Sequence, residues 1–222
     1  MTHPTIEAVV FDLDGLMLNT EDVFSESGKQ LLARRGLEMT AEIHGAMLGR
    51  RPNEAFQAMK DLTGIQDNIE TLKAETRMLF QAIAAGHLAL QPGLTALINR
   101  IDIAKLPRAV ATSSPRDYMI DMLSRFNLLK GFHVTLTAED VTQGKPHPEI
   151  YITAAERLGV APANMLVLED SEAGTRAAAA AGAYAVSIPN EHTRAGDFSM
   201  ASLIAEQLDD AAIMRLIPAD GR

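Results

Sequence analysis

The chain has 222 residues, 47% of them hydrophobic and 22% charged, with no cysteine and a formal net charge of −9. That length holds one large domain, or one domain carrying an insertion, around a full hydrophobic core. The acidic balance speaks against nucleic acid, the missing cysteines exclude disulfides, thiolate nucleophiles and Cys-based metal sites, and no run approaches the roughly 18 apolar residues of a membrane span. The opening residues Met1 to Thr5 carry neither a basic region nor a long apolar segment, and a cytoplasmic protein is expected.

The first element is Ala8-Val9-Val10-Phe11, a short apolar run that reads as a buried strand of a parallel sheet. It ends in Asp12-Leu13-Asp14-Gly15. Residues i and i+2 of a strand share a face, so these two acids bring like charges close together. Such a pair calls for a cation between them or a retained proton, although a polar strand end entering an Asp-Gly turn is the simpler alternative. Thr20 is the expected N-cap of the next helix, with Glu21 and Asp22 in its first turn.

From there to about Ala85 the pattern is helical. Leu31, Leu32 and Leu37 mark one segment before Gly36 stops it; Ile43, Met47 and Leu48 mark a second. Ala55, Phe56, Met59 and Leu62 mark a third, and Ile69, Leu72, Met78, Leu79 and Ile83 a fourth. Met47, Met59 and Met78 sit at core spacing and are expected to pack. The block is too long for a simple crossover and reads as an inserted helical bundle over residues 18–91, with 1–17 and 92–222 forming the core.

After Pro92-Gly93 the chain alternates: a helix through Leu94, Leu97, Ile98 and Ile101, a strand at Arg108 to Thr112, a helix at Tyr118 to Phe126, and a strand at Val134 to Leu136. A helix at Pro148 to Leu158, a strand at Met165 to Leu168, a helix at Ser171 to Ala181 and a strand at Tyr184 to Ile188 follow, with one more weak helix expected after Ser199. The expected fold class is α/β, a three-layer Rossmann-like core with a mostly parallel sheet.

Parallel strands bring four polar segments to one sheet edge: Asp12 and Asp14, Thr112-Ser113-Ser114, Lys145, and Glu169 with Asp170. Each has an ordinary explanation in helix capping or solvation. Phosphoryl transfer accounts for them together. Asp12 and Asp170 offer hard oxygen ligands to Mg²⁺. An Asp12 nucleophile splits hydrolysis into two steps. The Thr112-Ser113-Ser114 segment, opening a helix, suits a phosphate, and Lys145 balances the crowded negative charge. Asp14 is placed to protonate the leaving alcohol and then deprotonate water.

Phe11-Asp12-Leu13-Asp14-Gly15, the strand into Thr112-Ser113-Ser114, Gly144-Lys145-Pro146-His147-Pro148, and Glu169-Asp170-Ser171-x-x-Gly174 resemble the four motifs of the haloacid dehalogenase superfamily, in its order and over nearly the whole chain. The similarity is greatest to the β-phosphoglucomutase-like phosphatases, whose helical cap lies between the first and second motifs. The resemblance implies Asp12 as nucleophile, Asp14 as acid/base and backbone-carbonyl metal ligand, Asp170 as metal ligand, and Glu169 as an indirect support. It also implies a cap that closes over substrate.

Departures from the family pattern narrow the reaction. The dehalogenases lack the second acid, which is present here as Asp14. The mutase has a histidine where this chain has Phe24, and its cap arginine falls at Pro52. Thr20, Glu21, Arg50 and Arg51 are the expected substrate-facing residues of the cap; for the arginines a solvated helix end serves equally well. The expectation is a Mg²⁺-dependent phosphatase acting on a sugar phosphate or nucleoside monophosphate, a monomer or weak dimer with no nucleic acid or membrane partner. A phosphosugar mutase and a non-catalytic binding module are the alternatives.

Overall fold

A computed structural model describes residues 4–47 and 52–218. Among them the chain forms two compact units, one running up to Asn19 and resuming at Leu90, the other spanning Thr20–Ala89.

The first unit is built on a six-stranded, wholly parallel sheet in the order β3-β2-β1-β4-β5-β6. Its strands are β1 (Ala8–Phe11), β2 (Arg108–Ala111), β3 (Val134–Leu136), β4 (Met165–Glu169), β5 (Tyr184–Ser187) and β6 (Leu203–Ile204). Strand β1 lies at the centre, with Val10 opposite both Ala109 and Val167. All four of its residues are fully buried. Since side chains alternate across a sheet, burial of Val9 and Phe11 as well as Val10 requires cover on both faces, which is why the strand is apolar without alternation.

On the face of Val10, α7 (Glu149–Leu158) and α8 (Glu172–Ala180) supply Ile150, Tyr151, Ala154, Ala155, Ala177 and Ala178 to one apolar cluster with Ala109, Ala111 and Val167. The small alanines let these helices lie close to the sheet. Helix α5 (Leu94–Ile103) is amphipathic and buries Leu94, Leu97, Ile98 and Ile101; α6 (Arg116–Arg125) buries Met119, Met122 and Leu123. Full burial of one such Leu or Met contributes about 1.5–3 kcal/mol.

The chain order reverses between β1 and β4: β1 leads on one side to β2 and β3, and β4 on the other to β5 and β6. That switch point opens a crevice at the carboxyl ends of the strands. The chain's exit and return are tied together beside it. Leu18 bridges to Leu90, and the Gln91 amide N–H donates to the Met17 carbonyl at 2.9 Å.

The second unit holds α1 (Thr20–Ala33), α2 (Ala41–Met47), α3 (Pro52–Thr63) and α4 (Ile69–His87). Leu31, Leu32, Ile43, Met59, Ile65, Leu72 and Leu79 form its core.

Three expectations require correction. The tail beyond Ser199 is not a single helix. Leu203–Ile204 adds a sixth strand beside β5, and a six-residue helix α9 (Ala211–Leu216) follows. Two residues at a sheet edge, with Ile204 exposed, leave no periodicity to read. Met78 is not in the core; it is 65% exposed, while Leu79 beside it is buried. The alternation on a helix that long admits an apolar residue on the wet face without penalty. Thr20 is the first residue of α1 itself and is fully buried.

Candidate active site

Three of the motif segments lie at or just past a strand end, and Lys145 comes from the loop between β3 and α7. Asp12 extends β1 by one residue, its backbone N–H donating to the Leu168 carbonyl on β4 at 3.0 Å. Thr112 does the same for β2, donating to the Leu136 carbonyl of β3 at 3.0 Å. Glu169 ends β4 and Asp170 follows it, both nearly fully buried. Oxygens of Asp12, Glu169 and Asp170 all lie within 4.8 Å of one another.

Lys145 is the cation among them. Its ammonium donates to Asp12 Oδ1 at 2.6 Å, Glu169 Oε1 at 2.6 Å and the Ala111 carbonyl at 3.0 Å, so each of its three protons has an acceptor. Burial works to strip the charge from this lysine, but the Asp12 and Glu169 carboxylates outweigh it and hold its pKa well above the ordinary lysine value. For Asp12 the balance runs the other way. Burial, with the nearby Glu169 and Asp14 charges, outweighs the attraction of Lys145 and pushes its carboxyl well above the usual range. A single ammonium does not neutralise this group of acids.

Glu169 is held from several sides. Tyr151, buried on α7, donates to Oε1 at 2.5 Å, and the Ser171 hydroxyl donates to Oε2 at 3.0 Å. Burial and the Glu169 charge raise the Tyr151 phenol well above its ordinary pKa, so it stays a donor. Ser171 also caps α8, accepting from the Gly174 N–H at 3.1 Å. Gly174 has to be glycine because a Cβ there would overlap the Glu169 carboxylate. The capping reading of Glu169-Asp170-Ser171 is thus true of Ser171, while the two acids serve the cluster.

Asn190, on the loop after β5, donates to Asp170 Oδ2 at 2.8 Å and to the Gly15 carbonyl at 3.3 Å. Gly15 sits at φ +77°, where a side chain is strained, and a Cβ would collide with Asp170.

Asp14 is cradled by hydroxyls. Oδ2 accepts from Ser114 Oγ at 2.6 Å and Thr112 Oγ1 at 3.2 Å; Oδ1 accepts from the Tyr118 phenol at 2.8 Å. Thr112 Oγ1 in turn accepts from the Ser114 N–H at 3.0 Å. Ser113 is exposed. A cavity of about 150 Å³ opens beside Thr112, Ser113, Thr142, Gly144 and Lys145. The structure therefore brings Asp12, Asp14, Thr112, Ser114, Lys145, Glu169 and Asp170 to one edge. Thr20 and Glu21 open α1 in the helical unit, and Arg50 and Arg51 lie outside the described residues. Sequence reasoning did not find Tyr118, Tyr151 or Asn190, which come from a helix turn, a helix interior and a loop and carry no spacing signal.

The acidic group suits a hard divalent cation. Its donors are carboxylate oxygens on converging strand ends, and at Asp12 desolvation together with the Glu169 and Asp14 charges outweighs the attraction of Lys145.

A family model for haloacid dehalogenase-like hydrolases matches residues 9–188. The chain belongs to the haloacid dehalogenase-like hydrolases. It is 31% identical to the phosphorylated carbohydrates phosphatase of Thermotoga maritima over 177 residues, covering 80% of this chain and 82% of the relative. It is 34% identical to the protein CbbY of Rhodobacter capsulatus over 217 residues, 93% and 96% of the two chains. The crystal structure of a putative β-phosphoglucomutase from Thermotoga maritima superposes with a TM-score of 0.82 at 27% identity, covering 95% of this chain and 98% of that one. This haloacid dehalogenase-like hydrolase thus has the fold of the β-phosphoglucomutase-like and CbbY-like phosphatases with their helical insert, and it is an enzyme of that phosphatase type. Among the described residues, no helix is long and apolar enough to cross a membrane.

Proposed function

We propose that this hydrolase removes the phosphoryl group from a small phosphorylated metabolite, a sugar phosphate foremost, through an aspartyl-phosphate on Asp12. The observation that carries the reading is the Lys145 ammonium holding Asp12 and Glu169 together at the sheet edge, with the hydroxyl-cradled Asp14 two residues along the same strand end. The relative named for phosphorylated carbohydrates supports the substrate class.

In the first step an Asp12 carboxylate oxygen attacks phosphorus. The P–O bond to the leaving alcohol breaks and Asp14 gives its proton to that oxygen. Lys145 fixes Asp12 Oδ1, leaving Oδ2 to attack, and balances charge as the phosphoryl group arrives. Thr112, Ser113 and Ser114 hold the non-bridging oxygens of the phosphoryl group with their hydroxyls. In the second step Asp14 takes a proton from water, which attacks the aspartyl-phosphate, releases phosphate and restores Asp12. The side chains of Asp12 and Asp170, the Asp14 backbone carbonyl and Glu169, acting from the side, would hold Mg²⁺. When bound, it supplies charge neutralisation for the phosphoryl oxygens. Glu21, Arg50 and Arg51 of the helical insert are proposed as substrate selectors; Thr20, fully buried at the start of α1, is not among them.

Phe24 favours hydrolysis over a mutase. Its ring packs on Phe80, centroids 4.4 Å apart, so a position that is histidine in the mutase offers no titratable group here. The test is phosphate release from a panel of sugar phosphates, nucleoside monophosphates and β-glucose 1-phosphate, with Mg²⁺ and with EDTA. Mg²⁺-dependent release that falls by about 10³-fold or more in Asp12→Asn supports the reading. Undiminished release by that variant, or isomerised product without release, overturns it.

A further inference from the structure

Resting on that reading, we propose that Tyr118 is a positioning residue for the acid/base Asp14, selecting which carboxylate oxygen carries the catalytic proton. The phenol lies in the first turn of α6, just after the Thr112-Ser113-Ser114 segment, and donates to Asp14 Oδ1 at 2.8 Å. The two hydroxyls on the other oxygen, Thr112 Oγ1 and Ser114 Oγ, belong to the segment assigned to the phosphate. A phosphoryl group drawing on those hydroxyls takes them from Asp14, whereas Tyr118 stays with Oδ1.

A phenol O–H can donate to a carboxylate oxygen and, less strongly, to the carbonyl oxygen of the neutral acid, but it cannot accept from an acid O–H while its own proton points at that oxygen. With Oδ1 engaged as an acceptor, the proton of neutral Asp14 resides on Oδ2, the oxygen on the side of Thr112 and Ser114. From there it passes to the departing alkoxide oxygen as the P–O bond breaks and the bond from Asp12 to phosphorus forms. The electron pair of the broken bond leaves with that oxygen and accepts the proton, and Asp14 is left as carboxylate. Without the phenol, the proton divides between two oxygens and the carboxyl rotates freely about its χ2, which is a broad torsion.

The prediction is a leaving-group signature. kcat/KM reports the steps up to loss of the alcohol. For the best alkyl phosphate of the panel, Tyr118→Phe lowers kcat/KM by about tenfold, because an alkoxide needs the proton. For p-nitrophenyl phosphate, whose leaving group needs none, the same variant stays within about twofold. Adding Tyr118→Phe to Asp14→Asn lowers alkyl phosphate turnover no further, since the two act as one unit. Equal losses on both substrates, no loss on either, or a full additional loss in the double variant overturns the assignment of Tyr118 while leaving the hydrolase reading in place. A wild-type enzyme that releases no phosphate, or an Asp12→Asn variant that still does, overturns the hydrolase reading itself, and the role of Tyr118 with it.

Discussion

Glu169 and Asp170 are neighbours in sequence but stand in different chemical circumstances. The Glu169 oxygens already accept from Lys145, Tyr151 and Ser171, so that side chain acts mainly as an anchor for Lys145. Asp170 accepts from Asn190, which also holds the Gly15 carbonyl. Asn190 thereby ties the loop after β5 to both the acidic cluster and the turn that follows Asp14. Its own Oδ1 accepts from the His192 and Thr193 N–H groups at 2.8 and 3.2 Å, which fixes the amide's orientation. Supporting bonds of this kind typically set metal affinity by 10- to 100-fold. Asn190→Ala is therefore expected to weaken Mg²⁺ binding by about 10-fold or more, measured by titration calorimetry on the full chain. Unchanged affinity would mean that Asp170 is oriented by its strand alone.

At the scale of elements, what was legible in the sequence was what has a period. The apolar strands β1 and β4, the amphipathic α5, and the polar residues at the strand ends all follow from burial on two faces and from parallel strand direction. Strand β6 and helix α9 are too short to show a period, and the partners Tyr118, Tyr151 and Asn190 reach the site by tertiary packing across separations of 18 to more than 100 residues. The same limit applies to the clamp that joins α1 to α4. Arg35, just past α1, pairs with Glu75 on α4 at 2.7 Å and with Asp67 before it at 3.1 Å. Hydrogen bonds from Arg35 lower the pKa of both carboxyls, and the same bonds raise the guanidinium further. Because the folded-state values are depressed, the stabilisation is present above the unfolded carboxylate values near 4 and is lost as pH falls through the lower folded ones. Arg35→Met should destabilise the helical unit at pH 7 by about 0.5–1 kcal/mol, through its pair with Glu75, the better covered of the two acids. Hydrogen exchange of α1 and α4 amides is the readout, and the difference from wild type should shrink as pH falls below the unfolded carboxylate values near 4. A difference that persists in acid would assign the loss to packing of the arginine stem.

At the scale of the whole molecule, the α/β unit gathers its buried acids where its strands end. The raised Asp12 pKa has a definite sign for stability. A carboxyl that holds its proton more tightly when folded stabilises the fold most below its unfolded value, near 4, and that contribution is lost as pH rises through the folded value. Near neutrality and without metal, ionised Asp12 therefore costs stability, since burial, Glu169 and Asp14 outweigh Lys145. Asp12→Asn removes that charge while Lys145 keeps Glu169 and the Ala111 carbonyl. In EDTA at pH 7.5 the variant should melt at a higher temperature than wild type. A cation held by the folded state reverses the order. At a hundredfold excess over its dissociation constant, Mg²⁺ adds about 2.7 kcal/mol to wild type, and Asp12→Asn, lacking one ligand charge, should gain much less. The crossing of the two melting curves between EDTA and saturating Mg²⁺ is the measurement. If wild type is the more stable protein in EDTA as well, the pairing of Asp12 with Lys145 outweighs the cost of burying its charge. The acids would then need no cation to be compatible with the fold.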